Sequence, residues 1–306
     1  MAGGLGQGTG KSARTYAGLG VPLILPAWLI IGIFLVVPIL IMLVYSFLTK
    51  EFRGGVIWEP TLAAYDQFFF DRGLFGDEPP KIEWTYILIF WRSIWQAGLA
   101  TVLCLLIGFP TAWFIATRPP NSRTIWLFLI TVPYWVNLLI RTISMKFLIR
   151  DNGPLNQWLL DAGLISEPIH VINTATAVQL GLFYSYLPFM VLPIYAAVER
   201  YNFALSEAAA DLYASRWVTL TQVIIPSVKP GIIAGCILVF VPSLGAFLAP
   251  DLLGGAKNFM IGSLIEEQFK GAAGNWPFGA AAAMILLTMV LIVLIFYARS
   301  QARGAR

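Results

Sequence analysis

Long stretches of this chain carry not one charged side chain. Uncharged apolar runs occupy residues 21–48, 93–117, 124–140, 171–198, 230–250 and 271–298. A helix rises about 1.5 Å per residue, so about 18 such residues cross a hydrocarbon slab roughly 30 Å thick. A water-soluble core has no use for so much apolar surface: the chain is 58% hydrophobic and 12% charged, where soluble domains carry about a quarter charged residues. The reading is an all-α integral membrane protein with six transmembrane helices and both termini on one side. The third run is the weakest, with Pro133 inside it. It borrows residues up to about Leu148, past Arg141 and Lys146, which either snorkel or line a wet interior.

The rest of the composition excludes several classes. Net charge is +4 and the twenty basic residues are scattered singly, so no nucleic-acid footprint is expected. Cys104 and Cys236 lie inside apolar runs, where a thiol behaves as a small hydrophobe; neither a disulfide nor a metal site is read. A Gly-rich tail with Lys11 and Arg14 precedes the first run, which lacks a small-residue cleavage site and is read as an uncleaved span. The expected organisation is an N-terminal tail over 1–20, a six-span domain over 21–298 with a distinctive loop at 200–230, and a basic tail over 299–306. Lys11, Arg14, Arg118, Arg123, Arg200, Arg216, Lys229, Arg299, Arg303 and Arg306 fall in the tails and in the loops after spans two and four, against Glu199, Glu207 and Asp211; the other loops hold nine basic residues and thirteen acids, so the basic count alone does not set the orientation. The acid-free tails and the RPPNSR turn favour cytoplasmic N- and C-termini. Prolines 26, 38, 110, 133, 188, 193 and 242 free backbone groups inside the spans, which suits a bundle that lines a pathway and moves. Trp28, Trp84, Trp91, Trp126, Trp158 and Trp276 stand near span ends as interfacial anchors.

The 200–230 loop, ERYNFALSEAAADLYASRWVTLTQVIIPSVKPGI with its flanks, is helix-forming. Ser206 reads as a cap with Glu207 in the first turn, then a break near Ala214 and Ser215, then a second short helix from Arg216 to about Ile225 ended by Pro226. Two short helices on the membrane surface offer a small-residue knob to a partner.

This stretch resembles the EAA loop of binding-protein-dependent ABC importer permeases. Glu207, Ala208, Ala209, Ala214, Val223, Ile225 and Pro226 stand in register with that pattern, and Lys229, Pro230 and Gly231 continue it. Tyr213 departs from it, standing where the family usually has Gly. The stretches LCLLIGFPTAWFIA (103–116), LPFMVLPIY (187–195), 230–262 with DLLGGAKN, and NWPFGAA (275–281) resemble the first permease of spermidine and putrescine importers. The resemblance implies a type I ABC importer permease fold in a bacterial inner membrane. It also implies a heterodimer with a second permease, two copies of a cytoplasmic ATPase carrying ATP and Mg, and a periplasmic or lipid-anchored polyamine-binding protein. No cofactor is expected on this chain itself. Glu207, Ala208, Ala209, Asp211, Ala214 and Pro226 would form the ATPase-coupling surface.

A polyamine carries several positive charges, so its path needs carboxylates and aromatic faces. Candidates are Asp251 at the outer end of span five, Glu266 and Glu267 in the last outer loop, and the aromatics Trp135, Tyr184, Tyr186 and Phe247. Each acid reads equally as a solvated loop charge, and each aromatic as lipid or helix packing. Asn137 is either a pathway residue or glue between helices. Catalytic residues are not expected: the single histidine, His170, and the absence of a Ser-His, Cys-His or paired-carboxylate arrangement argue against a membrane enzyme. A stand-alone secondary transporter would show inverted repeats with buried ion ligands. An importer permease for another small cationic or amino-acid-like solute stays open.

Overall fold

The computed structural model describes residues 9–51, 54–71, 81–270 and 274–304. In chain order the helices are α1 (Thr9–Tyr45), α2 (Ala63–Phe69), α3 (Trp84–Ala116), α4 (Pro120–Thr131), α5 (Leu138–Ile149), α6 (Pro154–Asp161), α7 (Ala175–Glu199), α8 (Ala204–Asp211), α9 (Arg216–Val218), α10 (Ile225–Leu244), α11 (Ile261–Phe269) and α12 (Trp276–Gly304). Two small antiparallel ladders, β1 (Leu48–Lys50) with β2 (Val56–Pro60) and β3 (Phe70–Asp71) with β4 (Lys81–Ile82), join α1 to α3. Among the described residues five helices are long and apolar enough to cross a membrane, and a bent pair makes the sixth when counted as one span.

The core is the mutual packing of α3, α7 and α10. Cys104, Ala112 and Ile115 from α3 meet Met190, Ile194 and Val198 from α7 and Val228 and Val239 from α10, all fully buried. Lipid tails are as apolar as leucine, so helices in a membrane associate through close packing rather than hydrophobic exclusion. Gly231 shows how close: a Cβ there would lie 2.4 Å from Ala197 Cβ and 2.7 Å from the Pro193 carbonyl oxygen. A second cluster joins Phe68 of α2, Ile89 of α3, Ile261 and Leu264 of α11, and Phe278 and Ala282 of α12. There the buried Ser93 hydroxyl donates to the Ile89 carbonyl and accepts from the Ile261 N–H, both at 2.8 Å, tying α11 to α3. By contrast α1 leans on α12 with its apolar side chains outward.

Three expectations need correcting. The helical path reaches back to Thr9, into the segment expected as tail, because adding residues to an existing helix costs far less than starting one. Residues 1–8, 271–273 and 305–306, parts of the expected tails and of the sixth run, lie outside the described residues. The third run is not one continuous helix: the segments on either side of the break at residues 136–137 meet at 93°. Pro133 tightens the end of α4 into a 3-10 turn, Val136 is extended, and the Asn137 side chain accepts from the Leu139 N–H at 2.8 Å, capping α5 as a new helix. Arg141 is thereby 7% exposed rather than snorkelling. Finally, α10 stops at Leu244, short of the expected end at 250. Gly245 caps it just past Pro242, and residues 250–254 form a separate π-helical turn packed on α7 through Leu253 and Gly181.

Candidate functional site

At one end of the α7–α10 pair, the 200–230 loop is anchored by aromatic rings. Tyr201, 7% exposed, stacks at a tilt on Trp113 with centroids 6.2 Å apart, and Phe203 sits 5.3 Å from Tyr201 and 5.7 Å from Trp113. Just before it, Glu199 accepts from Tyr195 Oη at 2.7 Å and pairs with Arg123 at 3.3 Å, linking α7 to α4. Helix α8 begins at Ala204, three residues ahead of the start that a Ser206 cap implies. The Asn202 side chain accepts from the Ala204 N–H at 3.1 Å, so Ser206 lies inside the helix and its hydroxyl bonds Tyr201 Oη at 2.7 Å. On α8, Glu207, Ala208 and Asp211 are exposed, while Ala209 and, beyond the helix, Ala214 are half-buried.

The turn after α8 closes at Tyr213. Its φ is +58°, in the left-handed region that glycine adopts freely, and its side chain is 98% exposed. The Tyr213 N–H donates to the Ala210 carbonyl at 2.9 Å and the Ala214 N–H to the Ala209 carbonyl at 3.0 Å, satisfying the helix end. Ser215 then caps α9, accepting from the Val218 N–H at 3.3 Å. Pro226, exposed, does not end this helix as expected. A π-helical stretch over residues 219–224 runs straight into α10, and its wider turn accommodates a ring that an α-helical turn would reject. The short helix α9 is thus continuous with a membrane span.

At the other end of α10 the structure brings the three candidate acids together. Asp251, Glu266 and Glu267 line one cavity of about 290 Å³ with Gly255, Ala256, Phe259, Ser263 and Lys270. Asp251, expected at the end of a span, instead sits on the separate turn that follows it, where it is exposed. Lys270 Nζ lies 2.7 Å from Glu266 Oε1, and this hydrogen bond holds the lysine pKa above its ordinary value.

Between the two ends is a smaller cavity of about 110 Å³ lined by Leu138, Thr142, Ser185, Tyr186, Pro242 and Phe247, among others. Tyr186 and Phe247 are therefore neighbours, and Tyr186 Oη donates to the Pro242 carbonyl at 3.3 Å. Tyr184 is 39% exposed on α7. Trp135 is 76% exposed with its ring edge-on to Phe128 at 5.5 Å, and Asn137 is engaged in its helix cap; neither lines these two cavities. Sequence reasoning missed Tyr134, whose hydroxyl donates to the Ser185 carbonyl. A polar ring between Pro133 and the capping Asn137 was the available signal.

Residues 108–303 match the family described as binding-protein-dependent transport system inner membrane component. The chain is 39% identical over 272 residues to the spermidine/putrescine transport system permease protein PotB of Haemophilus influenzae, covering 89% of this chain and 90% of that one. It is 40% identical over 273 residues to the protein of the same name from Escherichia coli K12, covering 89% and 94%. Among solved structures, a bacterial ABC transporter involved in the import of the acidic polysaccharide alginate superimposes with a TM-score of 0.70 at 16% identity, over 96% of this chain and 99% of that one. That likeness establishes the fold.

Proposed function

The chain belongs to the binding-protein-dependent transport system inner membrane components, a multi-pass inner membrane family, and from that premise we propose that it forms half of the translocation pathway of an ATP-driven polyamine importer. The observation that carries the substrate class is the identity of 39–40% over 89% of the chain to permeases named for spermidine and putrescine. The cavity gathering Asp251, Glu266 and Glu267 supports it, since carboxylates replace part of the hydration of an ammonium group.

In this reading α8 docks in a cleft of a cytoplasmic ATPase. Glu207 and Asp211 face its basic groups, Ala208 and Ala209 permit close approach, and Ala214 and Pro226 shape the turn and the return to the membrane. The mechanical argument is continuity. Tyr201, Phe203 and Trp113 lock the loop to α3 and α7, and α9 runs without a break into α10, so displacement of α8 moves two core helices as a rigid body. ATP and Mg belong to the ATPase: Gly10-Lys11-Ser12 has Leu5 where the first Gly of G-x-x-x-x-G-K-[ST] would stand. The complete assembly has a second permease, two ATPase copies and a polyamine-binding protein, with both termini of this chain cytoplasmic. Neither catalytic nor metal-binding residues are assigned to it.

The test is reconstitution of the permease with these partners in liposomes and measurement of ATP-dependent uptake of labelled spermidine and putrescine. Saturable uptake that requires the binding protein supports the reading. Uptake of an amino acid or another small cation, but of neither polyamine, would replace the substrate class. Uptake without any ATPase would overturn the assignment.

A further inference from the structure

Arg141 is the charged side chain that the described part of the molecule buries most completely, at 7% exposure. Its Nε and Nη1 are buried without a hydrogen-bond partner, and among the described residues it forms no ion pair with a carboxylate. A guanidinium taken out of water normally acquires an acceptor or a counter-charge. Its neighbours are two tyrosines: its central carbon lies 4.6 Å from the centroid of Tyr134, whose side chain also hydrogen-bonds it, and 6.0 Å from that of Tyr184.

The Tyr134 ring has partners of its own. The Tyr134 hydroxyl donates to the Ser185 carbonyl, and its ring meets Phe189 edge-on at 4.9 Å. The backbone under Arg141 is equally fixed, its N–H donating at 3.0 Å to the carbonyl of Asn137, the cap of α5. Leu138 and Thr142, one turn before Arg141 and one residue after it, line the 110 Å³ cavity together with Tyr186 and Phe247. An aromatic site whose chain neighbours Leu138, Thr142 and Ser185 line a cavity is thus filled by the chain's own cation, and an aromatic face attracts any cation by the same quadrupole.

We propose that Tyr134 and Tyr184 form a cation site on the translocation path and that Arg141 is its tethered occupant, competing with each passing ammonium group. This deepens the polyamine reading and rests on it for the identity of the passing cation. Its physical purpose is release. A polycation passes only if each site holds it favourably enough to enter and weakly enough to leave. A fixed cation beside this site keeps it weak, because two unit charges about 6 Å apart at an effective dielectric near 20 repel enough to reduce occupancy by tenfold or more.

The experiment uses the complete transporter in lipid nanodiscs, with labelled methylguanidinium as a probe of the site and labelled spermidine as a probe of transport. Arg141→Ala vacates the site, so methylguanidinium binding rises about tenfold over wild type. Arg141→Lys keeps the tethered charge and stays near wild type. Adding Tyr184→Ala to Arg141→Ala removes the gain. Equal methylguanidinium binding by wild type and Arg141→Ala would overturn the proposal. Should Arg141→Ala not assemble, the wild-type complex decides: methylguanidinium displaces Arg141 and speeds its modification by phenylglyoxal, read by mass spectrometry, and an unchanged rate would refute the competition. Failure of wild-type spermidine uptake beside a positive methylguanidinium result would sink the polyamine reading and leave the cation site standing.

Discussion

Lys270 Nζ sits 2.7 Å from Glu266 Oε1, one helical turn away, so the cavity that gathers three carboxylates already holds a cation of its own. Removing that ammonium frees Glu266 for a substrate, whereas removing a carboxylate opposite it takes a counter-charge away. Lys270→Gln is therefore expected to lower the polyamine concentration at half-maximal uptake, and Asp251→Asn to raise it, each by about three- to tenfold at low salt and less in concentrated salt. Binding to the isolated solute-binding protein stays unchanged in both. Shifts of the same sign in the two variants would remove this cavity from the path.

The pH behaviour of that pair follows from the raised lysine pKa. With its folded value above the ordinary 10.5, mainly because of the Glu266 hydrogen bond, the lysine's contribution is fully present below the unfolded value and is lost as pH rises through the folded one. Between pH 6 and 9 the ammonium stays charged. Lys270→Gln and wild type should accordingly show parallel uptake profiles across that window, and profiles that converge toward pH 9 would show the lysine titrating there.

Tyr213 occupies a left-handed backbone position with its side chain in solvent. An L side chain costs about 1–2 kcal/mol there, part of which glycine returns through the greater freedom of its unfolded chain. Tyr213→Gly should tighten the turn by up to about 1 kcal/mol, seen as slower hydrogen exchange at the α8 end in the isolated permease. Glu207→Lys leaves that exchange alone and abolishes co-purification with the ATPase. An intact complex in Glu207→Lys would remove α8 from the coupling surface.

Much of this was legible in the amino-acid string, for reasons that differ by element. The apolar runs specify spans because a bilayer leaves backbone groups no partner outside a helix. The acids Asp251, Glu266 and Glu267 were chosen by type, yet their convergence depends on the π-helical turn at 250–254, which folds Asp251 back from the end of α10. Such a turn rests on where Leu253 meets Gly181 on α7, a contact about seventy residues distant in sequence. The bend in the third run was written locally, in Pro133 and the capping Asn137. Their joint effect was hidden because either residue alone is tolerated in a membrane helix. Arg141 became a buried group only as a consequence of that bend.

The closeness of α7 and α10 gives a stability test. Gly231→Ala places a methyl 2.4 Å from Ala197 Cβ and against the Pro193 carbonyl, so the helices must separate, at a cost of about 1–3 kcal/mol. Gly98→Ala, on α3 with nothing within 4 Å of the new Cβ, is neutral or slightly stabilising. Thermal unfolding in detergent should separate the two variants clearly. Equal midpoints would mean that α7 and α10 are not held this close.

Docking of α8 on a cytoplasmic ATPase requires α8 to face the cytoplasm. Arg118, Arg123, Arg200, Arg216 and Lys229 lie in or beside the connections at the α8 end of the bundle, and the positive-inside rule favours that end for the cytoplasm. Asp161 and Lys257 lie in connections toward the opposite end, and both are exposed. Cysteines are placed singly at positions 161, 213, 215 and 257 after replacing Cys104 and Cys236 by Ala, and intact cells are treated with a membrane-impermeant maleimide. Positions 161 and 257 should label in intact cells, and 213 and 215 only after permeabilisation. Labelling of position 213 in intact cells would place α8 outside, where no ATPase could reach it, and would remove the coupling role together with the proposed direction of transport.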